Sequence, residues 1–458
     1  MITSGQLLAF KNNIAAITPD SQKYTYKQIL ESRDDFKNKV ESRSLVFCLC
    51  ENSIGSLIGY ISLITSDIVP LMLDGKINVK SLYSLIDHYQ PNYIWVSQKN
   101  KGIIKIGKEL ITVCGFSLIK IPDNKYHDLN DNLCLLLPTS GSTGSPKLVR
   151  LSYKNIYSNA QSIADYLSID QYEKPITALP IHYSFGLSII NSHLIKGATI
   201  LLTNASLMEK EFWIFMKNSK ATSLSGVPYS FEILKKLRFL NMDLPYLKTL
   251  TQAGGKLQDD LNLEFSKFCK EQKKRFFVMY GQTEATARMS YLPYNYAIIK
   301  NGSVGVPIPN GKFSLIDENN KKINEPDTVG ELIYEGDNVS MGYANDINDL
   351  ALGDINHGTL ITGDLAKRDS DNHYYIVGRK KRFIKLFGNR VSIDHTESLI
   401  KIIISDCACI GEDDCMIIFI NDKSRITEIK KYISEKLNIH ISAFNVCLLY
   451  TSPSPRDK

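Results

Sequence analysis

Short apolar runs, broken by glycine, proline and charge, alternate between two periods along the first half of the chain. Ser44 to Cys50 alternates as a strand does, Ile54 to Thr65 repeats with the spacing of a buried helix, and Asp67-Ile68-Val69-Pro70-Leu71 reads as the next strand. Tyr93 to Val96, Leu110 to Val113 and Leu133 to Leu137 are further short strands, and Asn155 to Tyr166 has helical spacing. Ahead of them, Tyr24-Thr25-Tyr26-Lys27-Gln28 sets a β-rich start against a helical pattern, with Thr25 placed to cap that helix. Farther on, Thr222 to Pro228 and Tyr229 to Leu237 read as strand, turn and helix, while Leu247 to Leu257 and Phe276 to Glu284 each carry an apolar strand into glycine. Strands alternating with helices in this way predict mostly parallel sheets with helices on both faces, an α/β fold. After Gly302 the pattern turns β-rich: a turn at Asp317-Glu318-Asn319-Asn320, a strand from Val329-Gly330-Glu331-Leu332, then Met341-Gly342-Tyr343, all assigned to scaffolding. A last helix is expected over Ile426 to Leu437.

Length and charge narrow what such a chain does. At 458 residues it is too long for one ordinary core, so two or three packed units are expected. A net charge of +6, spread along the chain, suits anionic ligands such as nucleotides and does not imply nucleic acid. The nine cysteines are scattered, with no secretory signal ahead of them, which points to reduced thiols in a cytoplasm. Cys407, Cys409 and Cys415 admit a metal site or buried free thiols, and C-x-C without a second pair favours the thiols. The most lipid-like segment, Ser56 to Leu73, is broken by Asp67, Pro70 and several hydroxyls, so no membrane span is expected.

Candidate chemistry gathers where the strands end. Leu136-Leu137-Pro138 opens into Thr139-Ser140-Gly141-Ser142-Thr143-Gly144-Ser145-Pro146-Lys147. Glycines let backbone N–H groups turn toward an anion, hydroxyls add neutral donors and one ammonium adds charge, as a phosphate cradle needs. A flexible Ser/Gly linker is the competing reading. The loop is not a Walker loop, because Pro146 stands where that pattern needs glycine and Leu148 follows the lysine. Tyr280-Gly281-Gln282-Thr283-Glu284 ends another strand: Tyr280 can stack on a base, Thr283 can donate to a phosphate oxygen, and Glu284 can hold Mg²⁺ against a triphosphate. His182, in Leu179-Pro180-Ile181-His182-Tyr183-Ser184-Phe185-Gly186, either gates a pocket or is structural. The acidic run at 317–320 is a solvated turn, and the basic cluster Arg379-Lys380-Lys381-Arg382 is either a solvated face, as charge runs usually are, or a nuclear-import-like patch.

T-S-G-S-T-G-x-P-K resembles the signature loop of the acyl-adenylating (AMP-binding) family, which includes acyl-CoA synthetases, non-ribosomal peptide adenylation domains and firefly luciferase. L-P-x-x-H-x-x-G, Y-G-x-T-E, Thr362-Gly363-Asp364 and G-R-x-K-x-x-I-K-x-x-G-x-x-V from Gly378 follow in the family's order, so the likeness covers roughly residues 20–440. The resemblance implies an adenine ring lying against Gly254 and Gly255, ribose hydroxyls held by Asp364 and reached by Arg379, and a hinge with Lys381 at its pivot. Amino-acid-activating members carry an aspartate near Phe185, and its absence favours a plain, non-amino carboxylic acid.

The implied fold is a large multi-layer N-terminal domain, 1–379, with a small β-rich subdomain, followed by a small mobile α+β domain, 380–458. The implied reaction has two steps. A carboxylate attacks the α-phosphate of ATP and releases pyrophosphate, and the acyl-adenylate then passes its acyl group to a pantetheine thiol, that of CoA or of a carrier protein. Lys147, Thr283, Glu284 and His182 are the expected catalytic set, with ATP, Mg²⁺ and CoA or phosphopantetheine as cofactors. A nucleotide-binding, non-catalytic member, or an inactive fragment, of the same fold is the alternative. Family members finish near a P-x-x-x-x-G-K stretch whose lysine meets the reacting groups, and no such stretch closes this chain. The last domain is therefore expected to be incomplete, residues 447–458 to be non-native, and adenylation by the chain to be slow.

Overall fold

The computed structural model describes residues 2–122, 127–138, 147–387, 389–412, 414–437 and 439–448. The chain divides into two compact units, Met1–Phe313 with Tyr334–Leu360, and Ser314–Ile333 with Ile361–Lys458.

The first unit is built on two large sheets. In the nine-stranded sheet the order runs from Val306–Pro307 at one edge through Ser290–Leu292, Arg275–Tyr280, Thr249–Gln252, Ser223–Gly226, Pro175–Ile176, Ile200–Leu201 and Ile14–Ile17 to Lys23–Thr25. It is parallel from Arg275–Tyr280 across to Ile14–Ile17 and antiparallel at both edges. The eight-stranded sheet has a parallel centre, Leu133–Pro138, Val69–Asp74, Leu45–Cys50 and Tyr93–Ser97, again with antiparallel edges. Parallel strands need crossovers, and here helices supply them.

Two of these helices, Ile54–Ile64 and Ser184–Leu194, are buried all round, their few polar side chains being short hydroxyls, one tyrosine, one asparagine and one histidine. Their side chains share one core with inward residues of both sheets, Leu135 and Leu137 from one and Ile200 and Ala16 from the other. Tyr60 donates its hydroxyl to Asn191 Oδ1 at 2.9 Å, which satisfies two buried polar groups at once. The predicted helix start at Thr25 is a full capping box: its hydroxyl accepts from Gln28 N, and the Gln28 side chain accepts from Thr25 N.

The second unit holds most of a five-stranded sheet ordered Lys322–Ile323, Lys312–Ile316, Gly330–Glu335, Thr359–Arg368 and Tyr374–Arg379. Its first hairpin turns at 317–321, as the acidic run predicted, with the Asp317 carboxylate accepting from Asn319 N and Lys321 N. Farther along, a hairpin of Phe383–Leu386 and Asn389–Ser392, helices Ile393–Ile400 and Ile426–Leu437, and a three-stranded sheet close around their own core of Leu386, Ile400, Met416, Ile418, Ile429 and Phe444. Cys409 is buried and Cys407 and Cys415 are half-buried, all three as free thiols.

No helix among the described residues is long and apolar enough to cross a membrane.

Candidate active site

Strands Leu133–Pro138 and Leu148–Ser152 are antiparallel, with Pro138 opposite Leu148, so the signature segment leaves and returns at one point on the sheet rim. Thr139, Ser140, Gly141, Ser142, Thr143 and Gly144 lie outside the described residues. Lys147 is described and exposed, and its Nζ stands 5.8 Å from the centre of the Tyr343 ring. That geometry is a cation–π contact.

Strand Arg275–Tyr280 delivers the second motif. The chain passes through Gly281 into a single 3₁₀ turn, Thr283–Ala285. Only glycine fits at 281, because a Cβ there would stand 1.7 Å from the carbonyl oxygen of Ala287. Beyond the turn Thr286 and Ala287 have φ of 63° and 138°, a costly left-handed excursion for side-chain-bearing residues. Asn338 holds it in place, donating Nδ2 to the carbonyls of Ala285 at 2.8 Å and Arg288 at 3.1 Å. Tyr334 in turn donates to Asn338 Oδ1 at 2.8 Å, and the Thr286 hydroxyl donates to the Asn338 carbonyl at 2.6 Å.

This turn aims the candidate residues. The Thr283 hydroxyl lies 3.1 Å from that of Ser184 at the start of a buried helix. Glu284 is half-buried and its Oε1 accepts from the Tyr343 hydroxyl at 2.6 Å. Burial and then the Glu284 carboxylate raise the Tyr343 pKa, so its hydroxyl stays a donor. Tyr343 thus touches both Lys147 and Glu284. Tyr280 is half-buried, and its hydroxyl accepts a long hydrogen bond from Gln282 Nε2 at 3.4 Å.

Gly254 and Gly255 follow strand Thr249–Gln252 and are exposed. Gly254 takes φ 79°, and a Cβ on it would meet the Tyr183 hydroxyl at 2.8 Å, so the turn leaves bare backbone toward that ring. His182 sits beside Tyr183 on the loop before helix Ser184–Leu194, half-buried, with Nδ1 enclosed and unpartnered. Burial pushes its pKa down and the Asp74 carboxylate pulls the other way. Asn52 fixes that loop: its Oδ1 accepts from Ile181 N at 3.0 Å and its Nδ2 donates to the carbonyls of Thr177 and Leu179.

In the second unit Asp364 and Arg379 are cross-strand partners, and Arg379 Nε lies 3.3 Å from Asp364 Oδ1. Asp364 is only 4% exposed, whereas Arg379 is largely in solvent. Thr362 supports the strand end, donating to the Leu332 carbonyl at 2.7 Å and accepting from Asp364 N at 3.1 Å.

Four contributors were not read from sequence: Tyr343, Asn338, Asn52 and Arg150. Arg150, on strand Leu148–Ser152, is fully buried and donates to the carbonyls of Tyr343 at 3.1 Å, Met341 at 2.8 Å, Gly353 at 3.2 Å and Leu352. It fixes the backbone that carries Tyr343.

Comparison with known proteins identifies relatives of the chain. The luciferin 4-monooxygenase of Photuris pensylvanica is 29% identical over 278 residues, 59% of this chain and 50% of that protein. The 2-succinylbenzoate–CoA ligase of Enterococcus faecalis is 26% identical over 289 residues, 62% of this chain and 57% of that protein. The chain thus spans about half the length of the curated relatives it matches. Its fold matches that of O-succinylbenzoate coenzyme A synthetase (MenE) from Bacillus subtilis, in complex with ATP and magnesium ion. The TM-score is 0.76 at 20% identity, covering 96% of this chain and 95% of that one. Residues 8–344 match the model of the family described as AMP-binding enzyme, and the chain belongs to that family.

Proposed function

We propose that the chain is an ATP-dependent acid–thiol ligase. It adenylates a non-amino carboxylic acid, releases pyrophosphate, and passes the acyl group to the thiol of CoA or of a phosphopantetheinylated carrier protein. CoA ligases among its relatives support the reaction class. The observation that carries the reading is the meeting of Lys147 and Glu284 at Tyr343. An ammonium for phosphate oxygens and a carboxylate for a cation converge on one ring, with the Thr283 hydroxyl on the same turn as the carboxylate.

The site fits Mg²⁺ in one particular way. Glu284 Oε1 is engaged by Tyr343, while Oε2 has no hydrogen bond among the described residues. No group of three or more His, Cys, Asp or Glu side chains is placed to hold a metal among the described residues. A cation at Glu284 would therefore complete its shell with phosphate oxygens and water, which is how Mg²⁺ is held in nucleotide sites. Bound there, it would offset the repulsion between two anions that must approach each other.

The remaining roles follow from local chemistry. Lys147 and Thr283 bind and orient phosphate oxygens, and the donors stabilise charge as it develops. Bare backbone at Gly254 and Gly255 receives the adenine face beside Tyr280. Asp364 offers two carboxylate oxygens to two ribose hydroxyls, with Arg379 as second contact. His182, its pKa lowered by burial, serves as a neutral pocket side chain. Residues 380–458 act as the domain that turns about Lys381 between adenylation and thiol transfer.

ATP–pyrophosphate exchange against a panel of acids tests this. Acid-dependent exchange is expected, reduced roughly 10²- to 10³-fold by Glu284→Gln or Lys147→Ala. ATP binding with no exchange for any acid would instead establish a non-catalytic nucleotide binder. Supplying CoA or a phosphopantetheinylated carrier protein to preformed acyl-adenylate then identifies the acceptor.

A further inference from the structure

Arg288 follows Glu284 by four residues and is 1% exposed. All of its partners are neutral. Nε donates to the Ser188 hydroxyl at 3.1 Å, Nη1 to the Tyr166 hydroxyl at 3.1 Å and to Met279 Sδ at 3.3 Å, and the guanidinium lies 5.0 Å from the centre of the Phe185 ring. No carboxylate pairs with it among the described residues. Nη2 makes no hydrogen bond among the described residues, yet it is not among the enclosed, unpartnered atoms.

A guanidinium is permanently charged, and burying it without a counter-charge costs several kcal/mol. Two hydroxyls, a thioether and a ring face are a poor return for that cost. The field of the charge is felt nearby: His193, whose Nδ1 lies 2.7 Å from the Ile189 carbonyl, is lowered to about 4 by burial, and Arg288 pushes the same way.

Placement supplies the missing anion. Ser188, which receives Arg288 Nε, lies one helical turn beyond Ser184, whose hydroxyl touches Thr283. Residues spaced i and i+4 are about 5–6 Å apart on a helix. Thr283 and Arg288 are thus met by successive turns of one buried helix, and an acid whose reacting carboxylate sits at Thr283 would direct its other end toward Arg288.

Resting on the adenylation reading, we infer that Arg288 recognises a second carboxylate at the far end of the substrate, so that the acid adenylated is a short dicarboxylic acid. A guanidinium fork matches a carboxylate in shape and charge, and at this depth both would be desolvated.

The test compares dicarboxylic acids with monocarboxylic acids of equal length. Wild type should favour the dicarboxylic acid at least tenfold in exchange kcat/KM. Arg288→Met should shift that ratio at least tenfold toward the monocarboxylic acid, and Arg288→Lys should keep part of the preference. A wild-type preference for monocarboxylic acids, or equal scaling of all acids by Arg288→Met, would overturn the inference. Equilibrium dialysis of a labelled dicarboxylic acid with a non-hydrolysable ATP analogue decides the matter even if no acid supports exchange. Binding at least tenfold tighter than that of the matched monocarboxylic acid supports the subsite, and equal or undetectable binding refutes it. Because wild type alone gives this answer, a variant that fails to fold leaves the inference falsifiable.

Discussion

Arg150 and Arg288 are both buried in the first unit, and they are solvated in opposite ways. Arg150 donates to four backbone carbonyls, and Asp349 and Asp354 are near enough to oppose the lowering of its pKa by burial. Arg288 meets two hydroxyls, a sulfur and an aromatic face. The first arginine replaces water with dipoles of loop 341–353, so its burial organises structure. The second leaves much of its charge uncompensated, so its burial makes sense when something else brings the anion. Burial of the same side chain thus has a structural meaning in one place and a recognition meaning in the other.

Stability should separate the two most strongly. Arg150→Met leaves four carbonyls without their donor and should cost about 3–5 kcal/mol in urea unfolding. Arg288→Met removes a poorly paired charge in favour of an apolar chain and should fall within about 1 kcal/mol of wild type, or above it. Equal losses would erase the distinction.

A smaller effect is carried by His193, held neutral in the fold. Its contribution is fully present above the unfolded pKa of about 6.5 and is lost as pH falls toward the folded value of about 4. That window is worth at most about 3 kcal/mol, seen as falling stability between pH 6.5 and 4 and flattened in His193→Phe. In Arg288→Met the imidazole should titrate at higher pH by NMR, because a neighbouring positive charge has gone. An unchanged titration would mean that the Arg288 charge is already neutralised.

Smaller still is Tyr343→Phe. Removing one hydrogen bond to a carboxylate should raise the KM for MgATP about tenfold while leaving the unfolding midpoint near wild type. A large loss of stability would make Tyr343 a scaffold residue like Arg150.

Much of this was legible in the sequence because it is local. The capping box at Thr25 and Gln28 needs only residues three apart, and the strand ends at Pro138, Gln252 and Tyr280 are marked by the glycines or hydroxyls that follow. Asp364 and Arg379 were paired through family likeness, and their strands place them opposite each other. What stayed hidden depends on distant partners. Glu284 and Tyr343 are 59 positions apart, and Asn338 reaches back 50 to Arg288. Strand Leu148–Ser152 was unread because an arginine interrupts its apolar run, and Arg150 is buried only through carbonyls about 200 residues away. Strand Phe116–Lys120 was missed for the same reason, since Ser117 is buried inside it and bonds to Glu109 across the hairpin. Arg288 left one usable signal: a lone arginine in the run Ala285-Thr286-Ala287-Arg288-Met289, whose other residues are small or apolar, four positions after Glu284.

Oxygen tracing tests the central claim most directly. With an acid labelled by ¹⁸O in its carboxylate, attack on the α-phosphate makes that oxygen the bridge of the acyl-adenylate, and transfer of the acyl group to a thiol leaves it on AMP. Mass spectrometry of the products should find one label in AMP and none in pyrophosphate. Label in inorganic phosphate, or unlabelled AMP alongside acyl-thioester, would contradict adenylation by this chain.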